Sequence, residues 1–181
     1  MGGAVGIHTQ DGISVLGGID SRGDNDQGSL RLSQSHGTQM TDTHLGGCAC
    51  GAVRYQVKGN PVVGTVCYCR FCQKRLASAF AVLASFRQEA IEVLQGELSE
   101  VEHRSDDSGR WLRMSFCPRC GTTISHISEF RPGMRTIAAG TFDDPTWFNI
   151  DRHIWVQSKL PWVVIPENVA KYSLGFVAPP A

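Results

Sequence analysis

Apolar and polar residues alternate along several short stretches of the chain, at the spacing of a β-strand. In residues 53–58 the apolar Val53, Tyr55 and Val57 alternate with polar residues, which is the pattern of a strand with one buried face. Residues 80–86 form an almost continuous apolar run of the length of a buried strand. The pattern predicts a strand at each of these two places.

Further along the chain, the pattern predicts a β-hairpin over residues 98–116. Apolar and polar residues alternate between 112 and 116, and the preceding "DDSG" supplies a turn. Another strand is predicted over 135–142, with a turn at the following "DDP". One short helix is predicted, beginning after Cys69 and running through "CQKRLAS". We therefore expect a protein of short strands with little helix.

Residues 1–43 lack this periodicity and differ in composition from the rest. They hold nine of the twenty glycines and no cysteine or aromatic residue. Such a segment cannot bury enough apolar surface to offset the entropy of ordering, so we expect a disordered tail. Met40, just before the composition changes, is a candidate for the true start of the protein. We expect one folded domain over residues 44–175 and a C-terminal tail over 176–181.

The charge balance and the absence of long apolar runs exclude several classes of function. Lys and Arg together number 17, as do Asp and Glu, so the formal net charge at pH 7 is +0. Proteins that bind nucleic acid through its phosphates usually carry a basic excess. No apolar run approaches the roughly 18 residues of a membrane span, and no secretory signal pattern opens the chain. We expect a soluble cytoplasmic protein that binds neither nucleic acid nor membrane.

The seven cysteines are the candidate chemical groups of this sequence, and they occur in three clusters. In a reducing compartment, clustered cysteines more often bind metal or react as thiols than form disulfides. Their odd number favours the same view, with disulfides as the alternative. The three clusters are Cys48 and Cys50; Cys67, Cys69 and Cys72; and Cys117 and Cys120.

The first and last clusters together supply four thiolates, which is the ligand set of a closed structural zinc site. Residues i and i+2 of a strand project to one face, so we expect Cys48 and Cys50 to converge at the start of the first predicted strand. The segment "CPRCG" has the form of a zinc knuckle holding Cys117 and Cys120, in which Gly121 permits a left-handed backbone. The spacing predicts one four-cysteine zinc cage.

The middle cluster, Cys67, Cys69 and Cys72, supplies three ligands and leaves a fourth position open, as in catalytic zinc sites. Three thiolates reduce the Lewis acidity of a metal, so the site suits the capture of a thiol better than the activation of water. Two alternatives stay open. A histidine can close the site and make both zincs structural, or the three cysteines can be free thiols beside a single zinc. The candidate histidines are His44, His126 and His153.

Four segments, "GGCACGAVRY", "CYCRFCQ", "FCPRCGT" and "GTFDDP…RHIWVQSKLPW", make the sequence similar to the glutathione-dependent formaldehyde-activating enzyme family, also called the centromere protein V/GFA domain. The similarity covers residues 44–172. It implies a mainly β fold, a β-tent of small antiparallel sheets with little helix. It also implies two zinc ions per chain. The structural zinc would lie on Cys48, Cys50, Cys117 and Cys120, and an exchangeable, catalytic zinc on Cys67, Cys69 and Cys72.

The resemblance implies an activity as well: condensation of glutathione with formaldehyde to S-hydroxymethylglutathione, which is classed with the carbon–sulfur lyases. The expected partners are a small thiol, such as glutathione, and a small aldehyde. Basic residues beside the middle cluster, Arg70, Lys74 and Arg75, are candidates to hold the carboxylates of the thiol, or form a solvated basic face. Trp155 and Trp162 either wall the pocket or belong to the core. The alternative function is a non-catalytic zinc module for protein interaction or metal storage.

Overall fold

The structure is a computed structural model that describes residues 42–106 and 108–175. Almost all of the tail predicted for residues 1–43, including Met40, lies outside the described residues, as does the segment 176–181. The predictions for those segments stay predictions. The first strand begins at Thr43, one residue before the predicted start of the domain.

Eleven strands and one α-helix make up the described part of the chain, with three single turns of 3₁₀-helix at Gln88–Ala90, Ala139–Thr141 and Val156–Ser158. In chain order, the elements are β1 Thr43–Gly47, β2 Arg54–Lys58, β3 Val63–Cys67, α1 Arg70–Leu76, β4 Ala81–Arg87, β5 Ile91–Gln95, β6 Ser99–Arg104, β7 Trp111–Phe116, β8 Thr123–Ser128, β9 Met134–Ala138, β10 Arg152–Ile154 and β11 Ala170–Tyr172. None of the helices described is long and apolar enough to cross a membrane.

The strands form two sheets, so the expectation of a mainly β fold with little helix is confirmed. The smaller sheet has the order β1-β2-β5 and is antiparallel. The larger sheet has eight strands in the order β11-β10-β3-β4-β9-β8-β7-β6. It is antiparallel except at one end, where β10 pairs in parallel with both β3 and β11. The larger sheet thus has more strands than the small antiparallel sheets that the family resemblance implies, and part of it is parallel.

The main core lies between the two sheets and explains the strand patterns of the sequence. Tyr55 and Val57 of β2 are 1% and 0% exposed, and pack in one cluster with Ala84 and Phe86 of β4 and Phe142. The buried face predicted from the pattern at residues 53–58 is therefore confirmed. These apolar contacts hold the smaller sheet against one face of the larger one.

The predicted hairpin, strand and helix are also present. β6 and β7 pair in antiparallel register, with a turn near the predicted position. The strand predicted over 135–142 is shorter, because β9 ends at Ala138 and a 3₁₀ turn follows. The helix begins at Arg70, and Ala77 ends it with a left-handed backbone, φ +47°.

Helix α1 covers the other face of the larger sheet, which we call the α1 face. Leu76 of the helix packs with Cys67, Ala81 and Leu83. Cys67 and Ala81 are register partners, as are Thr65 and Leu83, so these side chains share one face. This face carries the second cysteine group.

Candidate metal centres

The Cys48/Cys50 pair lies in the turn that joins β1 to β2. The Cys48 amide donates to the Val53 carbonyl at 3.0 Å, and the Gly51 amide donates to the Cys48 carbonyl at 3.0 Å. Gly51 has φ +73°, a conformation that glycine adopts without steric cost. The expectation that the two cysteines converge by strand geometry is wrong. A tight turn brings their sulfurs to 3.5 Å instead.

The Cys117/Cys120 knuckle lies between β7 and β8 and has nearly the same backbone hydrogen bonds as the Cys48/Cys50 turn. The Cys117 amide donates to the Thr122 carbonyl at 3.0 Å, and the Gly121 amide donates to the Cys117 carbonyl at 2.9 Å. Gly121 has φ +75°, as its place in the motif predicts. Two similar turns, far apart in sequence, thus present their thiols to each other.

The sulfurs of these two turns form one group. The sulfur atoms of Cys50 and Cys117 are 3.9 Å apart, and all four sulfurs, including those of Cys48 and Cys120, lie within 4.8 Å of one another. In a tetrahedral zinc site with bonds of about 2.3 Å, the sulfur atoms would be about 3.8 Å apart. The four-cysteine group that spacing predicts is therefore brought together at a geometry that fits zinc.

Thr122 links the two cysteine-bearing turns, a role that the sequence analysis did not predict. Its Oγ1 accepts from the Ala49 amide at 3.2 Å and lies 3.1 Å from the Cys120 sulfur. Hydrogen bonding by Thr122 lowers the pKa of Cys120 to about 5. A thiolate at this position is the form that metals bind. The only sequence signal was that Thr122 follows the "CPRCG" segment directly.

The second cysteine group lies where β3 passes into α1. Cys67 is the last residue of β3, Cys69 is the N-cap of α1 and Cys72 is in its first turn. The Cys72 amide donates to the Cys69 sulfur at 3.3 Å. The three sulfurs lie within 4.8 Å of one another, so a single ion can contact all three. Cys67 and Cys72 are buried, whereas Cys69 is partly exposed.

The three thiols differ in acidity because they form hydrogen bonds with one another in a largely buried site. Hydrogen bonds from Cys67 and then Cys72 lower the pKa of Cys69 to about 3. Hydrogen bonding to Cys69 and Cys72, together with burial, raises the pKa of Cys67. The first negative charge of the group therefore lies on the more exposed sulfur, that of Cys69.

Gln73 fixes the segment that carries these cysteines. Its side chain is 6% exposed, and its amide donates to the Tyr68 carbonyl at 2.7 Å and to the Ser158 carbonyl at 2.9 Å. Arg70 in turn donates to the Gln73 side-chain oxygen. Gln73 therefore joins the start of α1 to the loop after β10. Its sequence signal was its place in "CYCRFCQ", to which no role was assigned.

The three candidate histidines have other partners. His44 stacks on Trp147 with ring centroids 3.5 Å apart. His126 Nδ1 lies 3.4 Å from Arg75, and His153 Nδ1 lies 2.8 Å from the Tyr68 hydroxyl. Among residues 42–106 and 108–175, no histidine, cysteine or carboxylate joins the group of three.

The basic candidates differ in their surroundings, and so do the two tryptophans. Arg70 and Lys74 are exposed, whereas Arg75 is half-buried and lines a cavity of about 450 Å³ between α1 and the knuckle that joins β7 to β8. Trp155 packs beside the three-cysteine group and also against a neighbouring apolar cluster. Trp162 is 69% exposed and belongs to neither wall nor core.

Two comparisons relate this chain to known proteins. A crystal structure of a Rhodobacter sphaeroides protein is similar to this chain at 19% identity and a TM-score of 0.46, over 71% of this chain and 98% of that one. The sequence model of one family, described as "Glutathione-dependent formaldehyde-activating enzyme", matches residues 43–158. That match spans both cysteine groups and most of the described strands. The chain belongs to the glutathione-dependent formaldehyde-activating enzyme family.

Proposed function

We propose that this protein is a zinc-dependent carbon–sulfur lyase that acts on glutathione and a small aldehyde such as formaldehyde. The sulfur of the thiol would lie at the open side of Cys67, Cys69 and Cys72. One carbon–sulfur bond forms, and the proton of the thiol ends on the former carbonyl oxygen. The reverse reaction breaks the same bond. No oxidant or reductant is needed.

The observation that supports this proposal is the difference between the two cysteine groups. One has four sulfurs and is closed, as in structural zinc sites, while the other has three. A site with three protein ligands leaves room for a substrate atom. We therefore assign a structural zinc to Cys48, Cys50, Cys117 and Cys120, and a catalytic zinc to the group of three.

The residues around the group of three prepare it for a thiol. When zinc is bound there, it supplies the positive charge that favours the thiolate form of an incoming thiol. Cys69, the most exposed of the three, marks the side open to solvent. Trp155, Ile154 and Leu76 provide apolar walls that exclude water from the other sides. Holding both reactants in this place supplies proximity, which is a large part of catalysis.

The test is the rate at which formaldehyde exchanges between its free and glutathione-bound forms. The uncatalysed addition is slow but real, so product formation alone is a poor readout. We expect NMR exchange spectroscopy to show a rate that rises in proportion to protein concentration. Cys69→Ala should return the rate to background while the fold is kept.

Two outcomes would contradict the proposal. If glutathione binds to the zinc-loaded protein but exchange stays at background, formaldehyde is the wrong electrophile. If no small thiol binds at all, the protein is a non-catalytic zinc module for protein interaction or metal storage.

A further inference from the structure

The α1 face of the larger sheet collects three arginines from distant parts of the chain. Arg152 of β10 lies beside Thr65 of β3 in the sheet register, and its Nε donates to the Thr65 hydroxyl at 3.2 Å. Arg131, from the turn between β8 and β9, donates to the Ser85 hydroxyl at 3.3 Å. Arg75 extends from α1 over the same face. All three guanidinium groups are partly buried.

The charge of Arg131 acts on Arg152, and the charges of Arg75 and Arg131 both act on the half-buried His126. Burial, and then the charges of Arg75, Arg135 and Arg131, lower the pKa of His126 to about 3. Burial, and then the charge of Arg131, lower the pKa of Arg152, although Tyr172 and Asp151 act in the opposite direction. The arginines are therefore close enough to form one positive region.

This positive region lacks matching carboxylates at two of its three arginines. Among the described residues, no carboxylate lies within 4.0 Å of the Arg75 or Arg131 guanidinium nitrogens. The Nε and Nη1 atoms of Arg75 are inaccessible to solvent and have no hydrogen-bond partner. Partly buried arginines are normally paired, because an unpaired charge loses its hydration without compensation. The positive charge of Arg75 and Arg131 is therefore not neutralised by a carboxylate of the described residues, and an external anion would neutralise it.

The distance from this region to the three-cysteine group suits a small peptide thiol. Thr65, the register partner of Arg152, precedes Cys67 by two residues, which is about 7 Å along a strand. The apolar Leu83, the register partner of Thr65, lies at the same level and packs against the cysteines. Ser85, the partner of Arg131, is two residues further along β4, about 7 Å more. Arg152 thus lies about 7 Å from the three-cysteine group along the strands, and Arg131 about twice as far.

We propose that Arg131 and Arg152 bind the carboxylates of the thiol substrate, that Arg75 adds positive charge to the site, and that this site selects a thiol with two carboxylates over a neutral one. This inference rests on the proposed function, in which the sulfur of that thiol lies at the three-cysteine group. The planar guanidinium fork matches a carboxylate through two hydrogen bonds. Arg70 and Lys74, which are exposed, are not needed for this role.

The first experiment uses wild-type, zinc-loaded protein and two ligands that lack a free thiol, S-methylglutathione and its diethyl ester. These ligands differ only in their carboxylate groups. We expect S-methylglutathione to bind at least about tenfold more tightly in isothermal titration calorimetry, since hydrogen bonds to charged groups are worth about that factor or more. Equal affinities would overturn the proposal, and this comparison needs no protein variant.

The second experiment changes the arginines. Arg131→Gln and Arg152→Gln should each lower the affinity for S-methylglutathione about tenfold and leave the affinity for the diester unchanged. Arg104→Gln is the matched control, because it removes one positive charge from an exposed residue that pairs with Glu102. Arg131→Lys keeps the charge and should recover part of the affinity. Thermal melts followed by circular dichroism verify that each variant is folded.

The outcomes separate this inference from the proposed function. If Arg104→Gln weakens binding as much as Arg131→Gln, the effect is one of overall charge and the arginine site is wrong. If free glutathione does not coordinate the zinc but S-methylglutathione binding depends on Arg131 and Arg152, the arginine site stands and the lyase proposal fails. If glutathione coordinates with equal affinity in wild type and both variants, the lyase proposal stands and the arginine site fails.

Discussion

At the scale of single residues, the two cysteine groups differ in what they connect. Cys117 and Cys120 join the turn between β7 and β8 to the turn between β1 and β2, so their site links both sheets. Cys67, Cys69 and Cys72 lie within six residues of one another, so their site links only the end of β3 to the start of α1. A metal in the first site restricts the chain far more than a metal in the second.

Substitution of the two groups should therefore have different consequences. Structural zinc contributes about 10–16 kcal/mol of apparent binding free energy in small modules. The whole free energy of unfolding of a domain is only about 5–15 kcal/mol. We expect Cys120→Ala to unfold most of the protein, and Cys69→Ala to lose one zinc and keep a cooperative melt. The measurements are zinc content and thermal unfolding; equal unfolding of both variants would show that the group of three is structural.

The lowered pKa of His126 should make stability depend on pH. The pKa of His126 is lowered to about 3 by burial and by nearby arginines, whereas an unfolded histidine titrates near 6.5. Between these values the unfolded chain binds the extra proton, so the free energy of unfolding falls as pH falls. The slope is at most about 1.4 kcal/mol per pH unit.

The matched variant for this prediction is His126→Gln. Between pH 7 and pH 5.5 the wild type should lose about 1 kcal/mol more stability than the variant, in urea unfolding experiments. Protonation of the cysteine ligands affects both proteins and cancels in the difference. Equal losses would mean that the pKa of His126 is not lowered in the folded protein.

The sequence was sufficient to predict which cysteines come together, because ligand number and spacing constrain a metal site strongly. It was not sufficient for the arginine region. Arg75, Arg131 and Arg152 are separated by up to 77 positions and meet only because α1, a turn and β10 share one face of the sheet. Arg75 was a candidate because it follows the middle cysteine cluster, but nothing in the local sequence of Arg131 or Arg152 distinguishes them from solvated basic residues. Such a site depends on strands that are distant in sequence pairing in the sheet.

At the scale of the elements, β3 and β10 place the three-cysteine group. Gly64 lies in β3, its amide donates to the Asp151 carboxylate at 2.7 Å, and its carbonyl accepts from the Asp151 amide at 2.9 Å. A Cβ atom on Gly64 would lie 2.0 Å from the Asn149 carbonyl oxygen. The close approach of these backbones requires glycine.

Gly64→Ala should therefore destabilise the protein by about 1–3 kcal/mol or more, as overpacked core variants do. Because β3 ends at Cys67, we also expect weaker metal binding at the group of three. Gly140→Ala is the control, since a Cβ there meets open space, and its melting temperature should be nearly that of the wild type. Similar melting temperatures for Gly64→Ala and the wild type would refute the close contact.

Which elements the sequence predicted depended on their length and periodicity. β2, β4 and the β6–β7 hairpin have enough alternating or apolar residues to show a pattern. β10 and β11 have three residues each and no pattern to detect. β10 pairs in parallel with both β3 and β11, and this pairing depends on contacts between residues that are distant in sequence. The expected turn position of the hairpin was correct because turn residues report local chemistry.

At the scale of the whole molecule, the two sheets and α1 give the two cysteine groups different degrees of closure. The four-cysteine group contains its full ligand set, and the group of three has a partly exposed sulfur with an arginine-rich face beside it. This difference in ligand number and exposure, together with the family match over residues 43–158, supports the proposal of one structural and one catalytic zinc. We propose above all that the second site accepts an external thiol.

The most direct test of that claim is zinc-edge X-ray absorption of the fully loaded protein with and without glutathione. Without thiol, one site with four sulfurs and one with three should give an average of about 3.5 sulfur ligands per zinc. With glutathione the average should rise to about 4, and Cys69→Ala, which cannot hold the second zinc, should show about 4 in both conditions. An average that stays the same in the wild type when glutathione is added would contradict the account.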